Sequence, residues 1–473
     1  MALRVTDILD RTANAYADAP ALRVKRDGQW QVTTWRDYRD QVRRAARGFI
    51  ALGLEPRDCI TILGFNCPEW FVADLGAIAA GGIPAGIYTT NPAEQCRYVA
   101  GHCDARIAVV ENHEQLAKFR AVRNDLPALR AIVQMHGKPD GDDVLSWQQL
   151  LDAGAQIPES VLDERLAAQK PDDVCTLIYT SGTTGASKAV MLTHDNITWT
   201  ASPIVEIVGL KPGDDAISYL PLSHIAEQIT GLHGPIIAGA CTWFAESIEK
   251  LGDALREVHP HYFVAPPRVW EKIQEKMEAT GAKAPAIRKR IVRWARRVGL
   301  DGGYAGQRGG RKPLLYPLAN RLVFAKVRDR LGLDRAKILV TSTAPIARST
   351  LEFFLSLGLP ICEVYGMSEC TGPATLSLPS RYRTGKAGFV LPGTEMRIAA
   401  DGEICMRGRH VFKGYYKDPI ATAEALDGDG WLHSGDIGEI DADGFLRITD
   451  RKKEIIITAG GENIAPQLIE GYL

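Results

Sequence analysis

VCTLIYTSGTTGASKAVMLTH, residues 174–194, opens as an apolar run and breaks into hydroxyls and glycines. Residues 174–179 have the length and composition of a buried strand. Thr180, Ser181, Gly182, Thr183, Thr184 and Gly185 follow, and then Lys188. Glycines let backbone N–H groups turn toward an anion, hydroxyls donate to phosphate oxygens, and a lysine supplies charge. The spacing is not GxxxxGK[ST], so this is not a Walker loop. By composition alone such a loop is more often a solvated turn, and its surroundings must decide.

Upstream, residues 34–55 predict an amphipathic helix with Ala45, Ala46, Phe49 and Leu52 on one face and Gly53 as its stop. CITILGF (59–65) reads as a strand. PEWFVADLGAIAAGG (68–82) reads as a helix with proline in its first turn, and IPAGIY and ARIAVVE (105–111) as further strands. Strands alternating with helices imply an α/β fold with a largely parallel, helix-covered sheet. Residues 285–330 break the rhythm with thirteen Lys or Arg against two acids, around a glycine-rich centre, DGGYAGQRGGRKP, expected to be loop. From Glu395 onward the pattern turns to short strands, with hairpins predicted at Asp401-Gly402 and Asp443-Gly444. This predicts a small β subdomain over about 385–450.

Composition excludes several classes. The chain has 473 residues, is 45% hydrophobic and carries a net charge of −1, which argues against a nucleic-acid partner. Nine scattered cysteines with no CxxC pair predict reduced intracellular thiols, with neither a disulfide framework nor a zinc site. The N-terminus lacks the apolar core of a secretory signal, and the apolar stretch 71–87 is too interrupted to span a membrane.

TSGTTG followed by a lysine resembles the phosphate loop of the adenylate-forming (AMP-binding) superfamily, which includes acyl-CoA synthetases, luciferases and peptide-synthetase adenylation domains. Ser187-Lys188-Ala189 stands where that family usually has proline-lysine-glycine. More motifs follow in family order. YLPLSHIAEQ (219–228) resembles the second core motif, which implies that His224 lies beside the acyl carboxylate. TSTAPIA (341–347) resembles the adenine-pocket turn. Ala344 and Pro345 match, whereas Ser342 and Thr343 replace the usual glycines. EVYGMSECTG (363–372) resembles the adenine and magnesium motif. Glu363, Tyr365 and Gly366 are thereby implied in the nucleotide pocket, with Tyr365 stacking on adenine; Ser368 is implied at the α-phosphate and Glu369 as the Mg²⁺ ligand. WLHSGDIGEI (431–440) supplies Asp436 for the ribose hydroxyls. DRKKEIIITAGGENIAPQLIE (450–470) matches the hinge motif, implying ribose or phosphate contact by Arg451 and rotation about Lys453.

The resemblance implies two half-reactions: attack of an acid's carboxylate on ATP to give acyl-AMP and pyrophosphate, then transfer of the acyl group to the thiol of CoA. Lys188, His224 and Glu369 are the implied catalytic residues. PHYFVAPPRVWEKI (260–273) resembles the long-chain branch, where Trp270 would gate an acyl tunnel, and THDNITWTA (193–201) resembles the bubblegum-type synthetases. The expected substrates are therefore a long-chain fatty acid, ATP and CoA, with Mg²⁺, in a cytoplasmic protein. The basic segment 285–330 reads either as a peripheral membrane contact or as a solvated helical face. Aryl or medium-chain acids, carrier-protein loading, or non-catalytic nucleotide binding are the alternatives. The expected architecture is an N-terminal adenylation domain over 1–450, a hinge at 451–453, and the beginning of a C-terminal α+β domain over 454–473. The family's C-terminal lysine, on a domain of ~100 residues, has no counterpart before Leu473. Impaired adenylation by the 473-residue polypeptide is therefore expected.

Overall fold

The computed structural model describes residues 3–139, 141–180, 187–452, 456–457 and 463–464. The chain divides into two compact units, Met1–Leu251 with Arg409–Ala423, and Gly252–Gly408 with Glu424–Leu473.

The first unit is built on an eight-stranded sheet. Its order is Gly414–Tyr415, Lys188–Thr193, Val174–Thr180, Ile83–Ile87, Cys59–Leu63, Ile107–Val110, Ala131–Gln134, Val144–Ser146. From Val174–Thr180 to Val144–Ser146 neighbours run parallel, and the other two strands pair antiparallel. Every residue of Cys59–Leu63, Ile83–Ile87 and Ile107–Val110 is buried. Burial on both faces is why these strands read as unbroken apolar runs. Helix Trp35–Ala51 turns Ala45, Ala46 and Phe49 inward and is started by Thr34, whose side chain accepts from the Asp37 N–H. Helix Pro68–Ala79 has proline in its first turn, as its sequence predicts. A second sheet, Asp215–Ser218, Cys241–Phe244, Pro20–Arg26 and Gln29–Thr34, completes this unit.

The segment 409–423 returns to the first unit and is fastened there. Thr193 and Asn196 form a reciprocal cap at the start of helix His194–Val208. The Asn196 amide also donates to the carbonyls of Arg409 and Val411, at 2.8 and 3.0 Å. Trp199 stacks on His410. Asp195 pairs with Arg409 as well, so the THDNITWTA stretch uses three of its residues to hold a distant piece of chain.

The second unit contains a five-stranded sheet, Tyr262–Ala265, Ile338–Thr341, Ile361–Met367, Gly372–Leu376, Phe389–Val390. The small β subdomain is a separate antiparallel sheet, Glu395–Ile398, Glu403–Arg407, Leu432–Ile440, Leu446–Arg451. Both expected Asp-Gly turns are present, with Gly402 and Gly444 at φ of +85° and +84°. The Asp401 carboxylate accepts from the Glu403 N–H, closing the first turn in the manner of Asx motifs.

One expectation fails. DGGYAGQ is not loop: helix Ala286–Gln307 runs straight through it. Gly299, Gly302 and Gly303 of this helix sit where packing leaves no room for a Cβ. A Cβ on Gly299 would sit 2.1 Å from the Ser356 carbonyl oxygen, and one on Gly303 would sit 2.4 Å from Leu355. Close approach to these neighbours outweighs the poor helix propensity of glycine, about 1 kcal/mol each. All nine cysteines are buried and unpaired. No described helix is long and apolar enough to cross a membrane.

Candidate active site

Thr180 ends one strand of a hairpin and Lys188 begins the other, and the two pair in register. Between them Ser181, Gly182, Thr183, Thr184 and Gly185, the core of the expected phosphate loop, lie outside the described residues. The root of the loop is anchored. The Ser187 carbonyl accepts from the Tyr98 hydroxyl at 2.7 Å, and its own hydroxyl accepts from Gln95 at 3.2 Å. Serine here replaces the family's proline, and two hydrogen bonds from helix Ala93–His102 fix the position instead. The Lys188 ammonium lies 4.8 Å over the Tyr415 ring, an attractive cation–π placement.

His224 caps the next helical segment. Its Nδ1 accepts from the Ala226 N–H at 3.1 Å, which puts the proton of the neutral ring on Nε2. Burial lowers its pKa, so the ring is neutral near physiological pH. Beneath it sits a group that sequence reasoning missed. Glu227 is buried, and its Oε1 accepts from Ser218 at 2.6 Å and from the Asn66 amide at 3.3 Å. Asn66 also donates to the Leu220 carbonyl at 2.7 Å. Burial pushes the Glu227 carboxyl up to about 8 despite these donors. The cluster braces the turn that presents His224. Gly231 leaves the space for it, since a Cβ there would meet the carboxylate at 2.3 Å. The chain runs on through a π-helical turn, Gln228–His233, a geometry frequent near functional sites.

In the second unit, strand Ile361–Met367 delivers Glu363, Tyr365 and Gly366, and a tight turn, Ser368–Cys370, follows. Tyr365, Ser368 and Glu369 are buried. The turn is braced by Cys370, whose sulfur accepts from the Met367 N–H and donates to the Gly372 carbonyl. The Tyr365 hydroxyl donates to Asp436 Oδ2 at 2.8 Å, and Arg451 Nε lies 3.3 Å from Asp436 Oδ1. Three residues from three separate motifs are thus brought together around one carboxylate. Burial pushes the Glu363 carboxyl up to about 8, and its Oε2 accepts from the Gly385 N–H at 2.7 Å.

The backbone just before Asp436 is held by a second carboxylate that the sequence did not flag. Glu403 accepts from the Gly435 N–H at 2.8 Å through one oxygen and from Lys452 at 2.8 Å through the other. Lys452 reaches Asp401 as well, at 2.7 Å. Nothing in a Gly-Glu-Ile strand start marks it, because the partner arrives 49 residues later. Lys453, the expected hinge, lies outside the described residues.

Ala344 and Pro345 sit exposed in the turn after strand Ile338–Thr341. Before them, Thr343 adopts φ of +77°. A β-branched residue in the left-handed region is strained by about 1–2 kcal/mol, and this is one of the two positions where the resemblance has glycine. Trp270 is fully buried, edge-on to Phe263 and Phe354, with its indole N–H donating to the Val340 carbonyl at 3.2 Å. The structure holds it as a pillar of the core, and a gating swing would have to break that bond and both ring contacts.

Comparisons with known proteins follow the same lines. A family model described as AMP-binding enzyme matches residues 9–416. The long-chain-fatty-acid–CoA ligase ACSBG2 of Xenopus laevis is 49% identical over 98% of this chain and 64% of its own length. That of Gallus gallus is 46% identical over 98% of this chain and 63% of its own, and that of Homo sapiens 41% over 99% and 72%. The chain therefore spans less than two thirds of the first two relatives. Among solved structures, the anthranilate CoA ligase AuaEII in complex with anthranoyl-AMP aligns with a TM-score of 0.78 and 20% identity over 99% of this chain and 82% of that one. The inhibitor-bound N-terminal domain of FACL13 from Mycobacterium tuberculosis aligns at 0.73 and 19%, over 95% and 99%. At such identities the likeness is one of fold.

Proposed function

The chain belongs to the AMP-binding enzyme family, and on that premise we propose that it activates a long-chain fatty acid with ATP and passes the acyl group to CoA. The carrying observation is the joining of Tyr365, Asp436 and Arg451 around one carboxylate, next in sequence to a buried Ser368-Glu369 turn. The substrate class rests on the relatives, whose names specify long-chain fatty acids.

The residues take the following roles. Asp436 accepts from the ribose hydroxyls, a task suited to a carboxylate already oriented by Tyr365 and Arg451. Tyr365 presents its ring to adenine. Thr180, Lys188 and the residues 181–185 between them are assigned to the phosphates by the motif they share. Glu369 fits Mg²⁺ by donor chemistry, as a hard oxygen ligand in a preformed turn beside the Ser368 hydroxyl. The ion would neutralise charge that builds on the phosphoryl oxygens during transfer. His224, neutral and fixed by its cap bond, lines the approach of the acid. No protein nucleophile is required, because the acid's own carboxylate attacks.

The test is pyrophosphate release against a panel of acids, aromatic to long-chain, with CoA or a carrier protein as acceptor. Turnover confined to long-chain acids with CoA is expected. Preference for short or aromatic acids would sink the substrate assignment, and nucleotide binding without pyrophosphate release would favour a non-catalytic binder.

We propose further that the protein is cytoplasmic and docks on an anionic membrane surface through the basic segment. Leu314 is 98% exposed, and Leu315, Leu318, Leu322, Ile287 and Ile291 are exposed too. Exposed Arg288, Lys289, Arg290, Arg311, Lys312 and Arg321 are interleaved with them. Apolar side chains between cations match a bilayer of acidic headgroups. Sedimentation with phosphatidylserine vesicles is expected to carry the protein down at low salt, and Leu314→Asp with Leu318→Asp to leave it in the supernatant. Equal sedimentation with neutral vesicles, or by the double variant, would remove the docking claim.

A further inference from the structure

Cys67, Glu69 and His136 come from two distant stretches of the first unit, yet their Sγ, one carboxylate oxygen and one ring nitrogen all lie within 4.8 Å of one another. Glu69 Oε2 and His136 Nε2 are 3.3 Å apart. Met135 adds a second sulfur, 3.8 Å from Cys67 Sγ. Cys67 is buried, Glu69 is 13% exposed and His136 is 37% exposed, so the group has a wet side.

The place in the fold is as informative as the residues. Strand Cys59–Leu63 is followed through helix Pro68–Ala79 by its neighbour Ile83–Ile87 on one side. The chain then crosses back through helix Ala93–His102 to Ile107–Val110 on the other side, and on to Ala131–Gln134. Strand order therefore reverses between Cys59–Leu63 and Ile107–Val110. In open parallel sheets, ligands collect outside the carboxyl ends of strands at such a reversal. Cys67 and Glu69 leave the carboxyl end of the first of these strands, and Met135 and His136 that of Ala131–Gln134. Glu111, at the end of the strand between them, accepts from the Phe65 N–H at 2.7 Å and sets the path of the segment that leads to Cys67.

We propose that Cys67, Glu69 and His136 form a zinc site, with a fourth position left to water. Thiolate, imidazole and carboxylate together are a zinc donor set, and three protein ligands leave one position open. Arg26 is the outer partner. It binds the other Glu69 oxygen, Oε1, and so orients Oε2 toward the site. Cys67 would bind the ion as thiolate, its proton leaving to solvent on uptake. The ion would pin the start of helix Pro68–Ala79 to the end of strand Ala131–Gln134. Spacing rules had excluded zinc because no two cysteines are close in sequence. The ligands here are one cysteine with partners of other types, and Glu69 and His136 are 67 residues apart. The site uses none of the residues assigned to nucleotide or acyl chemistry, so it stands or falls independently of the proposed activity.

Cobalt titration of the chelator-treated full chain tests it. One equivalent of Co²⁺ is expected to give visible ligand-field bands and a near-ultraviolet thiolate-to-cobalt band, both displaced by Zn²⁺. Cys67→Ser should abolish the thiolate band, and His136→Gln should weaken zinc binding by about a hundredfold or more. Zinc should raise the melting temperature of the wild type and of neither variant. Cys67 caps its helix without a side-chain cap bond, and serine is a favoured residue there, so that variant is expected to fold; the metal-free melting temperature verifies this. No spectral change on cobalt addition, or an unchanged thiolate band in Cys67→Ser, would overturn the proposal.

Discussion

Replacing Glu369 by alanine is expected to lower magnesium-dependent pyrophosphate release by about 10²–10³-fold, the cost typical of removing one preorganised electrostatic partner from a transition state. Glu369 is only 7% exposed, in a turn braced by Cys370. Circular dichroism of the variant separates loss of a ligand from loss of the turn. Glu369→Gln keeps the volume and one oxygen but loses the charge. It should fall nearly as far, because a hard divalent cation discriminates on charge as well as on shape. The readout is initial rate against magnesium concentration. Unchanged turnover with an unchanged magnesium requirement would refute the metal assignment.

The second large effect is structural. Gly366→Ala is expected to destabilise the protein by about 3 kcal/mol, the upper range for forced overpacking. A Cβ at this position would lie 1.8 Å from the Gly372 carbonyl oxygen and 2.8 Å from Pro373 Cα. These are backbone atoms of the paired strand and cannot rotate away. The pairing register already shifts between Tyr365 and Gly366, so the pair has accommodated one irregularity there. Nucleotide binding should weaken in parallel, since Gly366 leads directly into Ser368 and Glu369. Gly428→Ala, which meets nothing within 4 Å, is the control in thermal unfolding. If both variants melt like the wild type, the strands are not as close as described.

Legibility in the sequence depended on how local each cause was. The Val174–Thr180 strand, the helix Trp35–Ala51 and the two Asp-Gly turns could be read because their determinants lie within a few residues. The motif residues Tyr365, Asp436 and Arg451 were legible through resemblance, and the structure brings them together. Helix Ala286–Gln307 was misread because glycine propensity is a local property, whereas the neighbours that crowd Gly299 and Gly303, Ser356 and Leu355, lie elsewhere in the chain. Glu227 was missed for the same reason, since its partner Asn66 is 161 residues away. Trp270 was read as a gate from its motif, and its indole bond to the Val340 carbonyl, 70 residues away, was not legible there.

The fastening of residues 409–423 has a consequence for biosynthesis. Asn196 finds its carbonyl partner 213 residues downstream. At ~5–20 residues per second, that is on the order of ten to forty seconds of translation. Through that interval strand Lys188–Thr193 has no Gly414–Tyr415 to pair with, and a bare strand edge is a template for other chains. The nascent first unit must wait with its seam open until the ribosome has delivered Gly252–Gly408. A stall within that stretch would leave the edge of Lys188–Thr193 unpaired for longer.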